Sequence, residues 1–222
     1  MKKNDLKHLL PLLKFFIVLG VLIFGIRYWI NTTQYIYLDV NLGIELEVNK
    51  LRRIVSVKSV NEESQSILEN YSPKNKNRKK IVTELLDILI IHQYLIPSED
   101  NHILISATDE KYLEELSQII SMHLRKKQLP FQVWGQQITV HSSFIQDAES
   151  IGITTGKMTL ISTISDFCEL PAITLSQLSM NELISHMREH QLLPENKNTK
   201  KGYLDLPSIL MWQAAKKSEN RT

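Results

Sequence analysis

Apolar and polar residues alternate over residues 35–49, the stretch YIYLDVNLGIELEVN. The even positions from 36 to 48 are all apolar, whereas the odd positions are mostly polar or aromatic. A period of two predicts half-buried β-strands. The Asn-Leu-Gly sequence at 41–43 contains two residues that tolerate turn dihedrals, so we predict a turn or bulge there. Residues 54–60 (IVSVKSV) predict a third strand, and antiparallel pairing is the simplest arrangement.

The remainder of the chain alternates between helical and strand patterns. Apolar residues at helical spacing predict helices over 64–71, 81–94, 108–127, 143–151, 155–168 and 179–190, while strands are predicted over 102–107 and 131–141. A Ser-Met-Asn-Glu sequence at 179–182 is a capping box that opens the last helix. Strands that alternate with helices predict an α/β or α+β sandwich with a mixed sheet.

The segment before these strands is apolar and has basic residues in front of it. Residues 15–26 (FFIVLGVLIFGI) carry no charge, and lysines precede them at positions 2, 3, 7 and 14. A cleaved signal peptide needs small residues after the apolar run, whereas this run is followed by Arg-Tyr-Trp. We therefore predict a signal anchor over residues 9–30, long enough to cross a core of ~30 Å. The lysines before it predict a single-pass protein of the cell membrane, with a cytoplasmic N-terminus and an extracellular C-terminal domain.

The chain of 222 residues divides into five predicted segments. They are a cytoplasmic tail at 1–8, the anchor at 9–30, an extracytoplasmic α/β domain at 35–151, a small helical extension at 152–193, and a polar, partly disordered tail at 194–222. The near-balanced net charge of +2 argues against a dedicated nucleic-acid-binding protein. Cys168 is the single cysteine, which excludes an intramolecular disulfide and a cysteine-based metal site.

Two stretches carry a resemblance to a known family. They are residues 35–68, YIYLDVNLGIELEVNKLRRIVSVKSVNEESQSIL, and residues 151–161, IGITTGKMTLI. They resemble the extracytoplasmic middle domain of the anti-sigma-I factor RsgI family of Firmicutes, with its Asp-Ile-Asn-Pro-Ser, Ile-Glu-Leu-x-Val-Asn and Leu-Gly-Ile-x-x-Gly-Lys motifs. The resemblance covers residues 35–190, and by this match the family-motif residues are Asp39, Ile44, Glu45, Val48, Asn49, Gly152, Gly156 and Lys157.

The resemblance implies a non-enzymatic part in anti-sigma-factor-type transmembrane signalling, in response to envelope or carbohydrate stress, through protein–protein contact. Members of the family are cleaved spontaneously at Asn-Pro in this domain, whereas residues 41–42 are Asn-Leu here. Leu42 gives an ordinary secondary amide, which is harder to distort than the tertiary amide of proline. We therefore interpret Asn41 and Leu42 as a remnant of the cleavage motif and predict that the bond between them stays intact.

The family also holds its sigma factor with a folded domain before the membrane span. The eight residues before the predicted anchor are too few for a core, so we expect that the anti-sigma domain itself is missing. The expected partners are the membrane and a sigma-factor regulatory protein or a protease, and no nucleic acid is expected. The sequence does not identify the signal, the oligomeric state or the sigma factor.

Two other functions stay open. The basic run at 74–80 (KNKNRKK) would suit a membrane-anchored module that binds cell-wall polymer or another ligand, although a solvated linker explains it as well. His186, Glu189 and His190 match the His-x-x-Glu-His pattern of a zinc hydrolase, and a histidine-rich helix end is the competing explanation. The GITTGK sequence at 152–157 has the wrong spacing for a phosphate loop, and a helix opened by Thr155 accounts for it. We therefore predict no catalytic residue, metal site or cofactor.

Overall fold

The computed structural model of the chain describes residues 3–97, 100–140, 142–168, 170–193 and 204–205. The helices in this part are α1 (Lys3–Ile30), α2 (Glu62–Leu68), α3 (Arg78–Ile91), α4 (Glu110–Lys126), α5 (Ser142–Ile151), α6 (Thr155–Cys168), α7 (Ala172–Ser176) and α8 (Met180–Glu189). The strands are β1 (Thr32–Asp39), β2 (Gly43–Asn49), β3 (Ile54–Ser59), β4 (Asn101–Ala107), β5 (Phe131–Gln137) and β6 (Leu204–Asp205). Apart from β6, the predicted polar tail at 194–222 lies outside the described residues.

The strands form one mixed sheet in the order β3-β2-β1-β4-β5-β6. Strand β1 lies inside the sheet because it pairs antiparallel with both β2 and β4. Strand β5 runs parallel to β4, and helix α4 provides the crossover that parallel neighbours require. The two-residue strand β6 runs parallel to β5. The prediction of an α/β fold with a mixed sheet and helices is confirmed.

One face of the sheet and helices α2, α3 and α4 enclose the larger apolar core. The even positions from 36 to 48 are each at most 4% exposed, as the period-two pattern predicts. Helix α3 is buried along much of its length, as its sequence predicts. Its buried residues are Ile81, Val82, Leu85, Leu86 and Leu89. Helix α4 is amphipathic and turns Leu113, Leu116, Ile120 and Leu124 inward.

The opposite face of the sheet is covered by α6, α7 and α8. Leu104 and Trp134 on the sheet contact a second cluster formed by Leu160, Ile161, Ile164, Leu175, Met180, Leu183, Ile184 and Met187. Ser179 and Glu182 form the predicted capping box at the start of α8. The helices that follow residue 151 therefore pack on the same sheet as the preceding ones.

Some element ends differ from the sequence prediction. Helix α3 ends at Ile91 because Gln93 adopts a left-handed φ of 62°, several residues before Pro97. Helix α4, which is predicted from residue 108, is capped by Asp109, whose carboxylate accepts a hydrogen bond from Lys111 N at 2.9 Å. Tertiary context decides such ends, since neighbouring residues have similar capping ability.

Helix α1 passes into β1 through Asn31 alone, whose backbone N donates to Arg27 O at 3.0 Å. Its described side chains between Leu12 and Ile26 are exposed, with Phe24 at 72% and Val21 at 67%. A search of the described residues detects no helix that combines the length and the hydropathy of a membrane span.

Candidate functional site

The turn between β1 and β2, residues 39–43, is called the first turn below, and it holds the centre of the family motif. Val40 N donates to Leu42 O at 3.1 Å, which closes the turn on itself. Met180 N, at the start of α8, donates to Val40 O at 3.3 Å. Leu42 is 4% exposed, whereas Asn41 is exposed and its Nδ2 lies 3.5 Å from Tyr94 O. The first turn is thus fixed by neighbouring elements on either side.

Asp39, the last residue of β1, is joined to the start of α6. Thr154 Oγ1 donates a hydrogen bond to Asp39 Oδ2 at 2.6 Å. The same Thr154 oxygen accepts a hydrogen bond from Lys157 N at 2.9 Å, so it also caps α6. The residue that caps α6 is therefore Thr154 and not Thr155, which the sequence analysis favoured. A single hydroxyl links the first family motif to the second.

The Lys157 side chain extends the connection to α7 and the segment after it. Its Nζ donates to Ser176 O at 3.1 Å and to Leu178 O at 2.5 Å. Burial lowers the pKa of Lys157, and the nearby Asp39 carboxyl opposes that effect. Burial raises the pKa of Asp39 to about 7, although the Thr154 hydrogen bond and the charge of Lys157 both favour its ionised form.

Glycine at 43 and 156 is required by close packing. A Cβ on Gly156 would lie 2.6 Å from Ser106 Cβ and 3.0 Å from Tyr37 Cβ. A Cβ on Gly43 would lie 2.5 Å from Thr154 Cγ2. Both glycines therefore let α6 and the segment before it approach the sheet closely.

A layer of polar side chains lies between the sheet and the first turns of α6. Gln136 Nε2 donates to Ser106 Oγ at 2.8 Å and to Gly156 O at 2.6 Å. Burial raises the pKa of Tyr37 to about 12, and a hydrogen bond with Thr155 opposes this shift. Sequence reasoning missed Ser106 and Gln136. The available signal was a polar residue inside each of two apolar strands, which predicts a partner from another element.

The other family-motif residues of β2 lie in the core or hold a turn. Ile44 and Val48 belong to the larger apolar core. Burial raises the pKa of Glu45, and Lys58 opposes that shift. Asn49 is buried at the end of β2, where its Oδ1 accepts hydrogen bonds from Leu51 N and Arg53 N, each at 3.0 Å. The sites of Glu45 and Asn49 are therefore separate from the cluster around Asp39.

Gly152 joins the segment before α6 to the start of α2. It has a left-handed φ of 69°, a conformation that favours glycine. Asn61 Nδ2 donates to Gly152 O at 3.3 Å, while the Asn61 side chain also caps α2. The two stretches of the family resemblance therefore meet a second time at this point.

The geometry of the Asp39 cluster suits a structural connection. Asp39 is 2% exposed, and its carboxylate already accepts a hydrogen bond from the Thr154 hydroxyl, so a substrate has no access to it. The histidine pattern lies elsewhere, on α8, where His186 Nδ1 is 3.4 Å from Glu189 Oε2 and His190 is exposed. Among the described residues, no group of three or more potential metal ligands comes together.

These features define a strand–turn–strand unit whose turn is held by a later helix that packs on the same sheet. Residues 33–163 match the family described as the anti-sigma factor RsgI-like central domain, and the chain belongs to this family. It is similar to the anti-sigma-I factor RsgI7 of Acetivibrio thermocellus, with 23% identity over 176 residues. The alignment covers 75% of this chain and 32% of that protein, so the chain spans about a third of the length of this curated relative.

Proposed function

We propose that this chain is a membrane-anchored, non-enzymatic regulator that acts in the control of a sigma factor through protein–protein contact. Membership of the RsgI-like family supports the regulatory role, and a similar protein is named an anti-sigma-I factor. The partner under this proposal is a sigma-factor regulatory protein or a protease that acts on the extracytoplasmic domain. Under this proposal the extracytoplasmic domain senses envelope or carbohydrate stress and transmits the signal to the membrane.

The apolar character of α1 supports the anchor. The sequence from 15 to 26 contains no charged residue, and the described side chains of this stretch do not fold back on the α/β domain. An exposed apolar surface of this kind requires a partner, and a bilayer is the partner that covers a helix on all sides. The lysines at 2, 3, 7 and 14 support a cytoplasmic N-terminus and an extracellular domain.

The observation that carries the proposal is the position of β1. This strand follows α1 after one residue, pairs with both β2 and β4, and ends in the first turn. The first turn is attached to α6 by Asp39 and to α8 by Val40. A partner that loosens these attachments therefore changes the position of β1, the strand that follows α1. Because β1 and α1 are joined by one residue, this change is passed directly to the membrane anchor.

The experiment removes the chain from its host and measures the transcripts that depend on each sigma factor. The full chain is then returned as wild type or as Leu19→Lys/Ile23→Lys, because two charges near the middle of an anchor strongly oppose insertion. The matched control is Leu19→Ile/Ile23→Leu, which keeps the same sites apolar. We expect altered transcripts on removal, restoration by wild type and the apolar control, and no restoration by the lysine variant. Unaltered transcripts after removal would refute the regulatory role.

A further inference from the structure

The turn between β2 and β3, residues 49–53, lies at the end of the sheet where α1 joins it. We call it the second turn. Thr32, the first residue of β1, pairs with Asn49 at the end of β2. Lys50 Nζ lies 5.1 Å from the centre of the Tyr28 ring near the end of α1. The second turn therefore faces any membrane that α1 enters, and the first turn lies at the opposite end of β2.

A basic cleft opens beside the second turn. It has a volume of about 740 Å³. Among the described residues, its lining contains no carboxylate and five cationic side chains: Arg52, Arg53, Lys74, Lys76 and Arg78. These residues come from the second turn, from the loop before α3 and from the first residue of α3. The basic run that the sequence analysis singled out is thus joined in space by two arginines from a distant segment.

Nearby carboxylates neutralise only part of this charge. Glu115 pairs with Arg78 and lies 3.4 Å from Arg52, while Glu84 lies 2.7 Å from Lys76. One carboxylate, Glu115, is therefore shared by two arginines of the cleft. Arg53 and Lys74 are also exposed to solvent, so the cleft presents cationic side chains at the surface.

An apolar residue projects from the same surface. Leu51 is 45% exposed in the middle of the Lys-Leu-Arg-Arg sequence at 50–53. Asn49 Oδ1 holds this segment by accepting hydrogen bonds from Leu51 N and Arg53 N. An ordered apolar tip between cations matches the boundary of an anionic bilayer, where phosphates lie outside the acyl chains.

We propose that Leu51 and the basic cleft dock on the anionic phospholipid headgroups of the membrane that α1 enters. This inference rests on the membrane anchor of the proposed function. The cations contact lipid phosphates while Leu51 reaches the edge of the acyl layer. The contact holds the domain in one orientation, with the first turn pointing away from the bilayer toward incoming partners.

The experiment measures amide hydrogen exchange of the full chain in lipid nanodiscs made either of phosphatidylcholine alone or with phosphatidylglycerol. Exchange at residues 50–53 and 74–78 is expected to slow about fivefold or more with the anionic lipid, since each cation near an anionic surface strengthens binding by about that factor. Arg53→Gln/Lys74→Gln is expected to remove most of this difference. The matched control is Arg125→Gln/Lys126→Gln, which neutralises two exposed cations at the end of α4 that do not line the cleft.

A further variant, Leu51→Ser, is expected to keep the lipid dependence and to reduce the protection at 50–53. Equal exchange in the two kinds of nanodisc, with the chain incorporated in both, would overturn the docking surface and leave the anchor intact. A chain that enters neither nanodisc would instead refute the anchor on which the inference rests. Protection produced by soluble polyphosphate in phosphatidylcholine nanodiscs, without any response to phosphatidylglycerol, would assign the cleft to a soluble phosphate polymer and overturn the lipid assignment.

Discussion

The two turns that bound β2 differ in what holds them. The first turn is attached to residues more than a hundred positions away, because Thr154 donates a hydrogen bond to Asp39 and Met180 N donates one to Val40 O. The second turn is held by Asn49 from within and by the Arg78 side chain, which donates a hydrogen bond to Arg52 O, and it presents cations and an exposed leucine. One strand therefore connects a turn that is largely buried to a turn whose residues 50–53 are exposed at the surface. In this family motif, the residues of the first turn stabilise the fold, whereas those of the second turn form an exposed surface.

The strongest test of this difference is Asp39→Ala. The substitution leaves the buried Thr154 hydroxyl without its acceptor and the half-buried Lys157 without its nearby carboxyl group, so we expect a loss of about 3 kcal/mol in the free energy of unfolding. Urea unfolding of the full chain in detergent micelles, followed by near-ultraviolet circular dichroism, measures it. The control is Asn41→Ala at the exposed position of the same turn. Equal losses in the two variants would mean that the Asp39 contact does not fix the first turn.

The second largest effect is expected from Gly156→Ala. The added methyl group would collide with Ser106 Cβ and Tyr37 Cβ, so α6 must shift away from the sheet. We expect a loss of about 2 kcal/mol, typical of overpacking in a close contact. Gly20→Ala is the control, since its methyl group meets no atom within 4 Å. A melting temperature of Gly156→Ala equal to that of wild type would contradict the close approach of α6.

The first turn is also expected to respond to pH. Burial raises the pKa of Asp39 from 3.8 to about 7, so between these values the unfolded chain is ionised while the folded chain keeps the proton. The stability contributed by this group is present below pH 3.8, falls as the pH rises through this window, and is lost above about 7.

The measurement compares urea midpoints at several pH values between 5 and 8 for wild type and Asp39→Asn. Subtraction of the two curves removes the contribution of the titrating groups that do not interact with Asp39. We expect the difference to decline with rising pH. Parallel curves for the two proteins would show that Asp39 does not titrate in this range.

Small effects are expected at the second turn. Asn49→Ala removes the acceptor for two backbone N–H groups and should cost about 1 kcal/mol, because water can replace part of the interaction. Arg53→Gln should change the unfolding free energy by less than about 0.5 kcal/mol, as is usual for an exposed position. A loss at Arg53 as large as that at Asp39 would remove the distinction between the two turns.

Local pattern was sufficient to predict the strands around the first turn and the capping box of α8. The alternation at 36–48 identifies the buried face because one face of a sheet repeats every two residues. The contact between Asp39 and Thr154 joins residues 115 positions apart, and no local pattern specifies such a pairing. The odd positions Tyr37 and Asp39 looked solvent-facing, but α6 covers them. The family resemblance identified Asp39 in its first stretch and Lys157 in its second, although it did not predict that the two stretches lie close together.

The most direct test of the proposed function follows the full chain, tagged at both ends, in its host before and after cell-wall stress. A denaturing gel is needed because β1 pairs with β2 and β4, so the sheet would hold the two pieces together after a cut. We predict one full-length band, found with the membranes under both conditions, since Leu42 provides an ordinary amide in a fixed turn. A short N-terminal fragment in the membrane together with a large C-terminal fragment beginning at Leu42 would contradict the intact turn, and a full-length band in the soluble fraction would contradict the anchor.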